Sequence, residues 1–145
     1  MTVSDSLTKA LARFPGAQTY RPGDSRDLNQ TILRLIRQGR KTVSCDAWSA
    51  FEDGTEALPV AGRVDIALDW NRAPALATRT VQVEQVRFCD MTADKVAAQG
   101  EFRDLEHWVQ GYRSYLARTG HFNTTMPLMV ETFQMVHDFG ENADV

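Results

Sequence analysis

The hydrophobic pattern of this chain changes its period near Arg63, and this change restricts the folds that the chain can adopt. From residue 63 to 70, apolar side chains alternate with polar or small ones, which is the two-residue period of a half-buried β-strand. A turn at residues 71–74 leads into a second β-rich stretch at residues 75–88, whose valines, Val81 among them, we expect to point into the core. The two stretches together predict a β-hairpin in the middle of the chain.

Helical patterns lie on both sides of this hairpin. The clearest is an apolar stripe at helical spacing that begins after an N-cap at Asp24 or Ser25 and stops at Gly39; it comprises Leu28, Ile32, Leu35 and Ile36. The other predicted elements are helices at residues 4–14, 93–99 and 105–118, strands at residues 41–45 and 127–139, and a helical turn at residues 46–51 capped by Asp46. This order favours an α+β fold with a small curled sheet.

The length of 145 residues suits a single hydrophobic core. We expect one main domain at residues 15–139, preceded by a helix at residues 1–14 and followed by a tail at residues 140–145. The formal net charge of −3 argues against non-specific wrapping of long nucleic acid, but it permits a local basic cleft. No apolar run approaches the roughly 20 residues of a membrane span. Because no export signal is apparent, we expect a cytoplasmic protein in which Cys45 and Cys89 are reduced.

Reactive side chains cluster after the glycine that ends the second predicted helix. Residues 39–46 read Gly-Arg-Lys-Thr-Val-Ser-Cys-Asp, so that Lys41 precedes Ser44 by three positions. One interpretation is a lysine that acts as base or charge stabiliser beside a hydroxyl nucleophile. The other is a lysine at a helix C-terminus, where the dipole favours cations, followed by a polar edge strand. In a straight strand the two side chains would lie on opposite faces, so a shared site requires a bend.

The same residues resemble the signature of the ASCH domain, in which glycine, a basic residue, lysine and threonine are followed by a second hydroxyl. Other elements of that family agree in their order along the chain: Leu68-Asp69-Trp70 at a strand end, Gln99-Gly100-Glu101, a helix with Trp108 and Tyr115, and a closing strand at residues 126–139. The resemblance covers residues 15–139. It implies a PUA-like β-barrel flanked by helices, with a cleft that faces RNA or nucleotides.

The resemblance implies three functions, and we rank an RNA-facing cleft, with either binding or metal-independent cleavage of single strands, before amide hydrolysis. Some family members are single-strand ribonucleases, and a shorter branch hydrolyses the acetyl amide of acetylated cytidine with a lysine, a threonine and a glutamate. The third function is binding of RNA or a modified nucleotide without turnover. Carried over to this chain, the lysine is Lys41, the nucleophile is Ser44 with Thr42 as a second hydroxyl, and the glutamate falls on Gln99. Glutamine cannot ionise, so Glu101 is the candidate to replace it.

Further side chains are candidates for binding the substrate. We expect bases to stack on aromatic rings and polar groups to contact the rest of the ligand; the residues predicted for these roles are Trp48, Tyr20, Tyr112, Arg40, Arg113 and Gln99. The three histidines are dispersed, so we expect no metal site, and no cofactor is implied. The predicted partner is RNA, a nucleotide or a nucleoside, and the sequence leaves monomer and homodimer open.

Several nearby residues have a structural interpretation instead. Trp108 and Tyr115 share the apolar stripe of their helix and are predicted to lie in the core. Cys45 is interpreted as a small buried hydrophobe of a strand. Asp65 and Asp69 fall on the polar face of the first hairpin strand; they are expected to be solvated, or else one of them pairs with Arg63 or Lys41.

Overall fold

The computed structural model describes residues 2–140 and shows a mixed α+β fold built on one five-stranded sheet. The helices are α1 (Val3–Arg13), α2 (Arg26–Arg37), α3 (Ala93–Ala97) and α4 (Leu105–Arg118), and the strands are β1 (Gln18–Tyr20), β2 (Val43–Ala47), β3 (Val64–Leu68), β4 (Pro74–Arg87) and β5 (Pro127–Asp138). Single 3-10 turns follow β2 at Trp48–Phe51 and β4 at Phe88–Asp90. The predicted α+β class is confirmed, whereas residues 141–145 of the predicted tail lie outside the described residues.

The strand order is β1-β3-β4-β5-β2, so β1 and β2 form the two edges of the sheet. β1 runs parallel to β3, and all other neighbouring strands are antiparallel. The predicted hairpin is present as β3 and β4. The long pairing of β4 with β5 shifts its register after Ala77 and again after Thr80. Such bulges increase the local bend and twist of a strand, which is consistent with a sheet that curls into a half-barrel.

Three hydrophobic clusters fix the helices on the sheet. α1 places Ala10 against Ile66, on one face of β3, and α2 places Ile32 and its apolar neighbours against Ala67, on the other face. The third cluster joins α3 and α4 to β2 and β5; its buried members include Val43, Cys45, Val96, Trp108, Leu116, Leu128 and Val130. Because β3 is covered on both sides, it is a buried strand rather than the half-buried one predicted.

Local signals explain where the helices begin and end. The side chains of Ser25, Thr92 and Asp104 accept hydrogen bonds from the first turns of α2, α3 and α4, as N-cap residues do, and Ser25 is one of the two caps predicted for α2. Gly39 follows α2 with φ of +73°, the left-handed conformation that glycine adopts at low cost. Across residues 2–140, no helix combines the length and hydrophobicity that crossing a bilayer requires.

The two aspartates of the hairpin correct one prediction. Asp65 is 6% exposed and Asp69 is 8% exposed, so neither is solvated. Asp65 pairs with Arg63 at 3.0 Å, which is the alternative that the sequence left open. Asp69 accepts backbone hydrogen bonds from Asn71 and Ala73 and thereby closes the turn between β3 and β4. Strand alternation did not reveal this because the face that it assigns to solvent is covered by the rest of the fold.

Three other local predictions were wrong. Val81 is 50% exposed because it lies at the bulge after Thr80 and is displaced from the inward side. Asp46 belongs to β2 and does not cap the following turn; its Oδ1 accepts instead from the amide of Ala47 and the hydroxyl of Tyr115. Strand β2 starts at Val43 rather than at Lys41, since the amides of residues 42 and 43 donate to the carbonyl oxygen at the end of α3.

Candidate functional site

The edge strands β1 and β2 do not pair, and a two-lobed cleft lies between them. One lobe, about 480 Å³, is here called the aromatic lobe; its walls include Tyr20, Phe102, Tyr112 and Tyr115, with Lys41 and Glu101 among its polar groups. The other lobe, about 530 Å³, is here called the acidic lobe and is lined by Asp46, Glu56, Asp65, Glu131 and Arg63. Tyr20, Ser44 and Cys45 line both lobes, so the two lobes are adjacent and share these residues as a common wall.

Lys41 is held at the cleft by three acceptors. The side chain is 6% exposed, and Nζ donates to the Val43 carbonyl at 2.9 Å, to the Gln99 carbonyl at 3.3 Å and to Oε2 of Glu101 at 2.6 Å. An ammonium group has three N–H donors, so each has an acceptor. Lys41 therefore presents a fully hydrogen-bonded amine beside the cleft, an arrangement that suits stabilisation of negative charge on a substrate.

Glu101 reaches Lys41 because the loop between α3 and α4 packs tightly on the segment before β2. Gly100 has φ of +76°, and a Cβ atom there would lie 2.7 Å from the carbonyl oxygen of Arg40. Only glycine permits both this backbone conformation and this close approach. The Glu101 side chain is 20% exposed and lines the aromatic lobe, so its carboxylate is accessible to a ligand.

The side chain of Gln99, the residue at the position of the family glutamate, does not line either lobe. Its side chain is fully buried behind β2, and its Oε1 accepts from the Cys45 thiol at 3.8 Å. Its Nε2 has no hydrogen-bond partner within residues 2–140. The contribution of Gln99 to the cleft is its backbone carbonyl, which binds Lys41. The ionisable partner of Lys41 is therefore Glu101, two residues further along the chain.

The two hydroxyls of the motif are placed differently. Ser44 lies in β2 and lines both lobes, and Lys41 lines the aromatic lobe with it; the catalytic role of Ser44 stays a prediction. The bend arises because Lys41 precedes the strand and folds back onto the Val43 carbonyl. In the described part of the chain, the Ser44 hydroxyl has no hydrogen-bond partner. Thr42 lines neither of the two lobes. Its catalytic role stays a prediction that this geometry does not favour.

Tyrosines of α4 form one wall of the aromatic lobe. Tyr112 stacks on the buried Trp108 at 5.1 Å between ring centroids and donates its hydroxyl to the Cys45 carbonyl at 3.0 Å. Tyr115 is 36% exposed and donates to Oδ1 of Asp46 at 3.2 Å. Burial raises the pKa of Tyr112 well above its usual value, and burial followed by Asp46 raises that of Tyr115 to about 12. Both phenols therefore remain neutral donors at physiological pH. The prediction that Tyr115 is core was wrong.

Tyr20 stands on the opposite side, in β1. The residue is 40% exposed, yet its hydroxyl end lies close to Glu131, Asp65 and Thr78. Burial of that end raises the pKa of the phenol, and the carboxylate of Glu131 adds to the effect. Since Tyr20 belongs to both lobes, it forms the partition between them from the β1 side, as Ser44 does from the β2 side.

The acidic lobe contains desolvated carboxylates. Burial raises the pKa of Asp65, which the neighbouring Arg63 partly offsets. Burial also raises the pKa of Glu131, with a further contribution from Asp65, although the hydroxyl of Thr80 donates to Glu131 at 2.6 Å. The pKa of Glu56 is raised in the same way, by burial and then by Asp46. Four acidic side chains against the single arginine among the described lining residues make the lobe unfavourable for anionic ligands.

The remaining predicted binding residues lie outside the cleft as described. Arg40 is exposed beside the motif, and Trp48 lies in the turn after β2. Arg113 is exposed on α4, where its guanidinium stands 5.3 Å from the Phe122 ring centroid. None of these three lines either lobe, and their roles stay predictions.

Sequence reasoning missed several cleft residues. Asp65, Glu56 and Glu131 belong to segments that are distant along the chain and meet only because the sheet curls, so no local pattern identifies them together. Tyr115 did carry a signal: it follows Tyr112 by three positions, which places both rings on one side of α4.

An unclosed α+β half-barrel with a ligand-sized cleft along its open side defines the class of this protein. The family model of the ASCH domain matches residues 18–137, and the chain therefore belongs to the ASCH domain family. The family that the sequence motifs resemble is thus confirmed. A comparison with curated proteins gave no significant match.

Solved structures agree with this fold. The chain is similar to an ASCH domain from Lactobacillus crispatus JV V101, with a TM-score of 0.79 and 20% identity over 93% of this chain and 89% of the other. It is also similar to protein EF3133 from Enterococcus faecalis V583, with a TM-score of 0.78 and 24% identity over 97% and 95% of the two chains. The hypothetical protein PH0355 is more distant, with a TM-score of 0.53 and 14% identity over 83% and 99%. At these identities the likeness supports the fold alone.

Proposed function

We propose that the aromatic lobe binds a nucleobase, and that Lys41, Glu101 and Ser44 hydrolyse an amide on an exocyclic nitrogen of that base. The observation that carries this proposal is the Lys41–Glu101 pair at 2.6 Å in a lobe that Ser44 also lines, where the Ser44 hydroxyl has no hydrogen-bond partner among the described residues. Membership of the ASCH family supports a nucleotide-facing cleft, and the family resemblance supports the amide chemistry. Three tyrosines offer flat surfaces on which a base can stack.

The proposed reaction assigns one role to each group. Ser44 Oγ attacks the amide carbonyl carbon as its proton passes to the Glu101 carboxylate, and the charge of Lys41 stabilises the negative carbonyl oxygen. The carbon–nitrogen bond then breaks, and Glu101 returns the proton to the departing nitrogen. Water, activated by Glu101, hydrolyses the acyl-serine. Of the three Lys41 contacts, the one to the Gln99 carbonyl is the longest at 3.3 Å and is the easiest to exchange for the substrate oxygen.

The experiment is incubation of the purified protein with acetylated cytidine, followed by mass spectrometry. The expected result is release of cytidine and acetate by the wild type, with loss of at least about 10³-fold in kcat/KM for Lys41→Ala, Glu101→Gln and Ser44→Ala. Cytidine release at equal rates by wild type and Lys41→Ala protein would assign the activity to a contaminant. If no cytidine is released at high enzyme concentration, acetylated cytidine is not a substrate.

RNA binding is the second candidate function. The family is generally associated with RNA, and one exposed arginine, Arg118, lines the aromatic lobe without an ion-pair partner among the described residues. Arg40 is a further exposed cation next to the motif. In this case a single base enters the cleft and the two arginines contact phosphates. Equal RNA affinity for wild type and a double Arg40→Glu, Arg118→Glu variant would exclude this surface.

Ribonuclease activity is tested separately, because in RNA cleavage the 2′-hydroxyl of the substrate can act as nucleophile. The protein is incubated with single-stranded RNA in the presence of EDTA. Dependence of cleavage on Lys41 and Glu101, but not on Ser44, would distinguish this reaction from amide hydrolysis. The acidic lobe argues for the amide, since carboxylates beside the cleft repel a phosphate backbone.

A further inference from the structure

We infer that the acidic lobe binds the acyl part of the substrate and selects a positively charged one. The substrate class is then a nucleobase joined through an amide to an acyl group that carries an ammonium or a guanidinium. This inference rests on the proposed function, because it takes the amide to lie at Ser44. It adds a second binding site, with its own chemistry, to the aromatic lobe.

The position of Ser44 supports a substrate that spans both lobes. Ser44 lines the aromatic lobe together with Lys41 and Glu101, and it also lines the acidic lobe together with Asp65 and Glu131. A carbonyl carbon attacked by Ser44 therefore lies at the junction. Groups on its two sides extend into different lobes.

The residues that line each lobe indicate which part of the ligand it binds. The aromatic lobe is bounded by the rings of Tyr20, Phe102 and Tyr112 and by apolar side chains of α2 such as Ile32 and Ile36, which suits a flat ring. The acidic lobe is also lined by aromatic residues, Tyr20, Phe51 and Phe133, but it differs from the aromatic lobe in its four carboxylates. The base therefore fits the aromatic lobe and the acyl group fits the acidic lobe.

The charge of the acidic lobe is not balanced within the protein. Four carboxylates line it, and among the described residues that line it Arg63 is the only cation. Arg63 binds one oxygen of Asp65, Oδ2, through both Nε and Nη2 at 3.2 and 3.0 Å. Both hydrogen bonds that this carboxylate accepts from side chains of residues 2–140 go to Oδ2, although Asp65 is only 6% exposed.

Two of the other three carboxylates of the lobe accept hydrogen bonds from neutral hydroxyls. Glu131 accepts from the hydroxyl of Thr80, and Asp46 accepts from that of Tyr115. A desolvated carboxylate without a cation is costly to maintain. A ligand cation would supply the missing partner. Hydrolysis of such an amide consumes one water and releases the free exocyclic amine and a carboxylic acid that keeps the cationic group.

Three cytidine amides of equal chain length test the inference. N4-(β-alanyl)cytidine ends in an ammonium, N4-butanoylcytidine in a methyl and N4-succinylcytidine in a carboxylate. Binding is measured by calorimetry on Ser44→Ala protein, and hydrolysis is measured on protein with Ser44 intact. We expect the cationic amide to bind at least about tenfold more tightly than the neutral one, and the anionic amide more weakly than either.

Variants of the lobe locate the preference. Asp65→Asn and Glu56→Gln are expected to reduce the ratio of cationic to neutral affinity by about threefold to tenfold. Glu56 is exposed, so its variant keeps the test valid if the buried Asp65→Asn protein does not fold. Asp90→Asn is the matched control: this surface carboxylate pairs with Arg87 and lines neither lobe, so its neutralisation is expected to leave the ratio unchanged.

The outcomes separate the inference from the proposed function. If the neutral amide is hydrolysed in a Lys41-dependent manner and the cationic amide binds no better, the inference is wrong and the function stands. If the cationic amide binds preferentially and nothing is hydrolysed, the function is wrong and the charge selection stands. A preference that persists in both lobe variants, or failure of all three amides to bind, overturns the inference.

Discussion

The ammonium of Lys41 and the carboxylate of Glu101 lie 2.6 Å apart although 60 residues separate them along the chain. The pair forms because the α3–α4 loop packs on the segment that precedes β2, and Lys41 completes its contacts with two backbone carbonyls. A charged pair at a partly open cleft is available to a substrate, whereas the same pair deep in a core would only contribute to folding specificity. Mutations can therefore separate the contribution of this pair to the stability of the protein from its contribution to the reaction.

Replacement of Lys41 and replacement of Glu101 are expected to lower the free energy of unfolding by different amounts. Lys41→Met leaves Glu101 and two backbone carbonyls without their donor, and we expect a loss of roughly 2–4 kcal/mol. Glu101→Gln keeps an acceptor for Lys41 and is expected to cost about 1 kcal/mol. Urea denaturation followed by circular dichroism measures both. Equal losses for the two variants would contradict the saturated-ammonium description.

Gly100→Ala is expected to destabilise the protein by roughly 2–4 kcal/mol, because the new Cβ combines a left-handed backbone with a 2.7 Å approach to the Arg40 carbonyl. Gly39→Ala is the matched control. Gly39 has a similar φ of +73°, but a Cβ atom there would meet nothing within 4 Å, so only the backbone cost of about 1 kcal/mol applies. The difference between the two midpoints of urea unfolding isolates the close contact.

Ser44→Ala is expected to abolish amide hydrolysis, by about 10³-fold or more, while the melting temperature changes by less than about 2 °C. The small thermal effect follows from the absence of any hydrogen bond to this hydroxyl within residues 2–140. Thr42→Val, which alters the other hydroxyl of the motif, is the comparison and is expected to retain most of the rate. If Thr42→Val protein lost activity and Ser44→Ala protein kept it, Thr42 rather than Ser44 would be the nucleophile.

The carboxylates of the acidic lobe predict a pH-dependent stability. Since the folded-state pKa of Glu131 is above its ordinary value of 4.5, the folded protein holds a proton that the unfolded chain has lost in the interval between the two values. Stability therefore falls as pH rises through that interval. Glu131→Gln is expected to raise the melting temperature by about 2–4 °C at pH 7, and the gain is expected to shrink as pH approaches 4.5.

A carboxylate with the opposite shift provides the control for this pH dependence. Hydrogen bonds from Thr55 lower the pKa of the exposed Asp53, so its contribution is present near neutral pH and is lost in acid. Asp53→Asn is expected to lower the melting temperature slightly at pH 7 and not at pH 3. A gain for both variants at pH 7 would point to net charge rather than to the acidic lobe.

The two cysteines are expected to differ in reactivity. Cys45 is 8% exposed, and burial raises the pKa of its thiol to about 11, so its thiolate is scarce at neutral pH. Cys89 is exposed. Titration with a chromogenic disulfide reagent should therefore modify one thiol rapidly in the native protein and both in denaturant. Rapid modification of Cys45 in native Cys89→Ser protein would contradict its buried position.

Local sequence signals were sufficient for the elements and the family, and insufficient for the cleft. Caps at Ser25, Thr92 and Asp104 and the stop at Gly39 act within one helical turn, so the sequence displays them directly. The position of Lys41 beside Ser44 depends on where β2 begins, and that is decided by a carbonyl at the end of α3, more than 50 residues away.

The acidic lobe shows the same limitation more strongly. Asp65 was expected on a wet strand face, because alternation alone gives no information on what covers that face. Its neighbour Glu131 lies on β5, and Asp46 lies on β2. Only the curl of the complete sheet brings these strands around one cavity, so a pairwise pattern in the sequence cannot identify the group.

The unpaired edges of the sheet have a mechanical consequence. β1 comprises three exposed residues that are joined to the sheet on one side only, through β3, and such a short edge strand opens at low cost. A molecule bound between the two edge strands would contact Tyr20 on β1 and Ser44 on β2 at the same time. It would therefore link the two unpaired edges of the sheet. Ligand binding would then slow the hydrogen exchange of the backbone amides of β1. The exchange rate of this weakly attached strand is therefore a measure of ligand binding in the half-barrel.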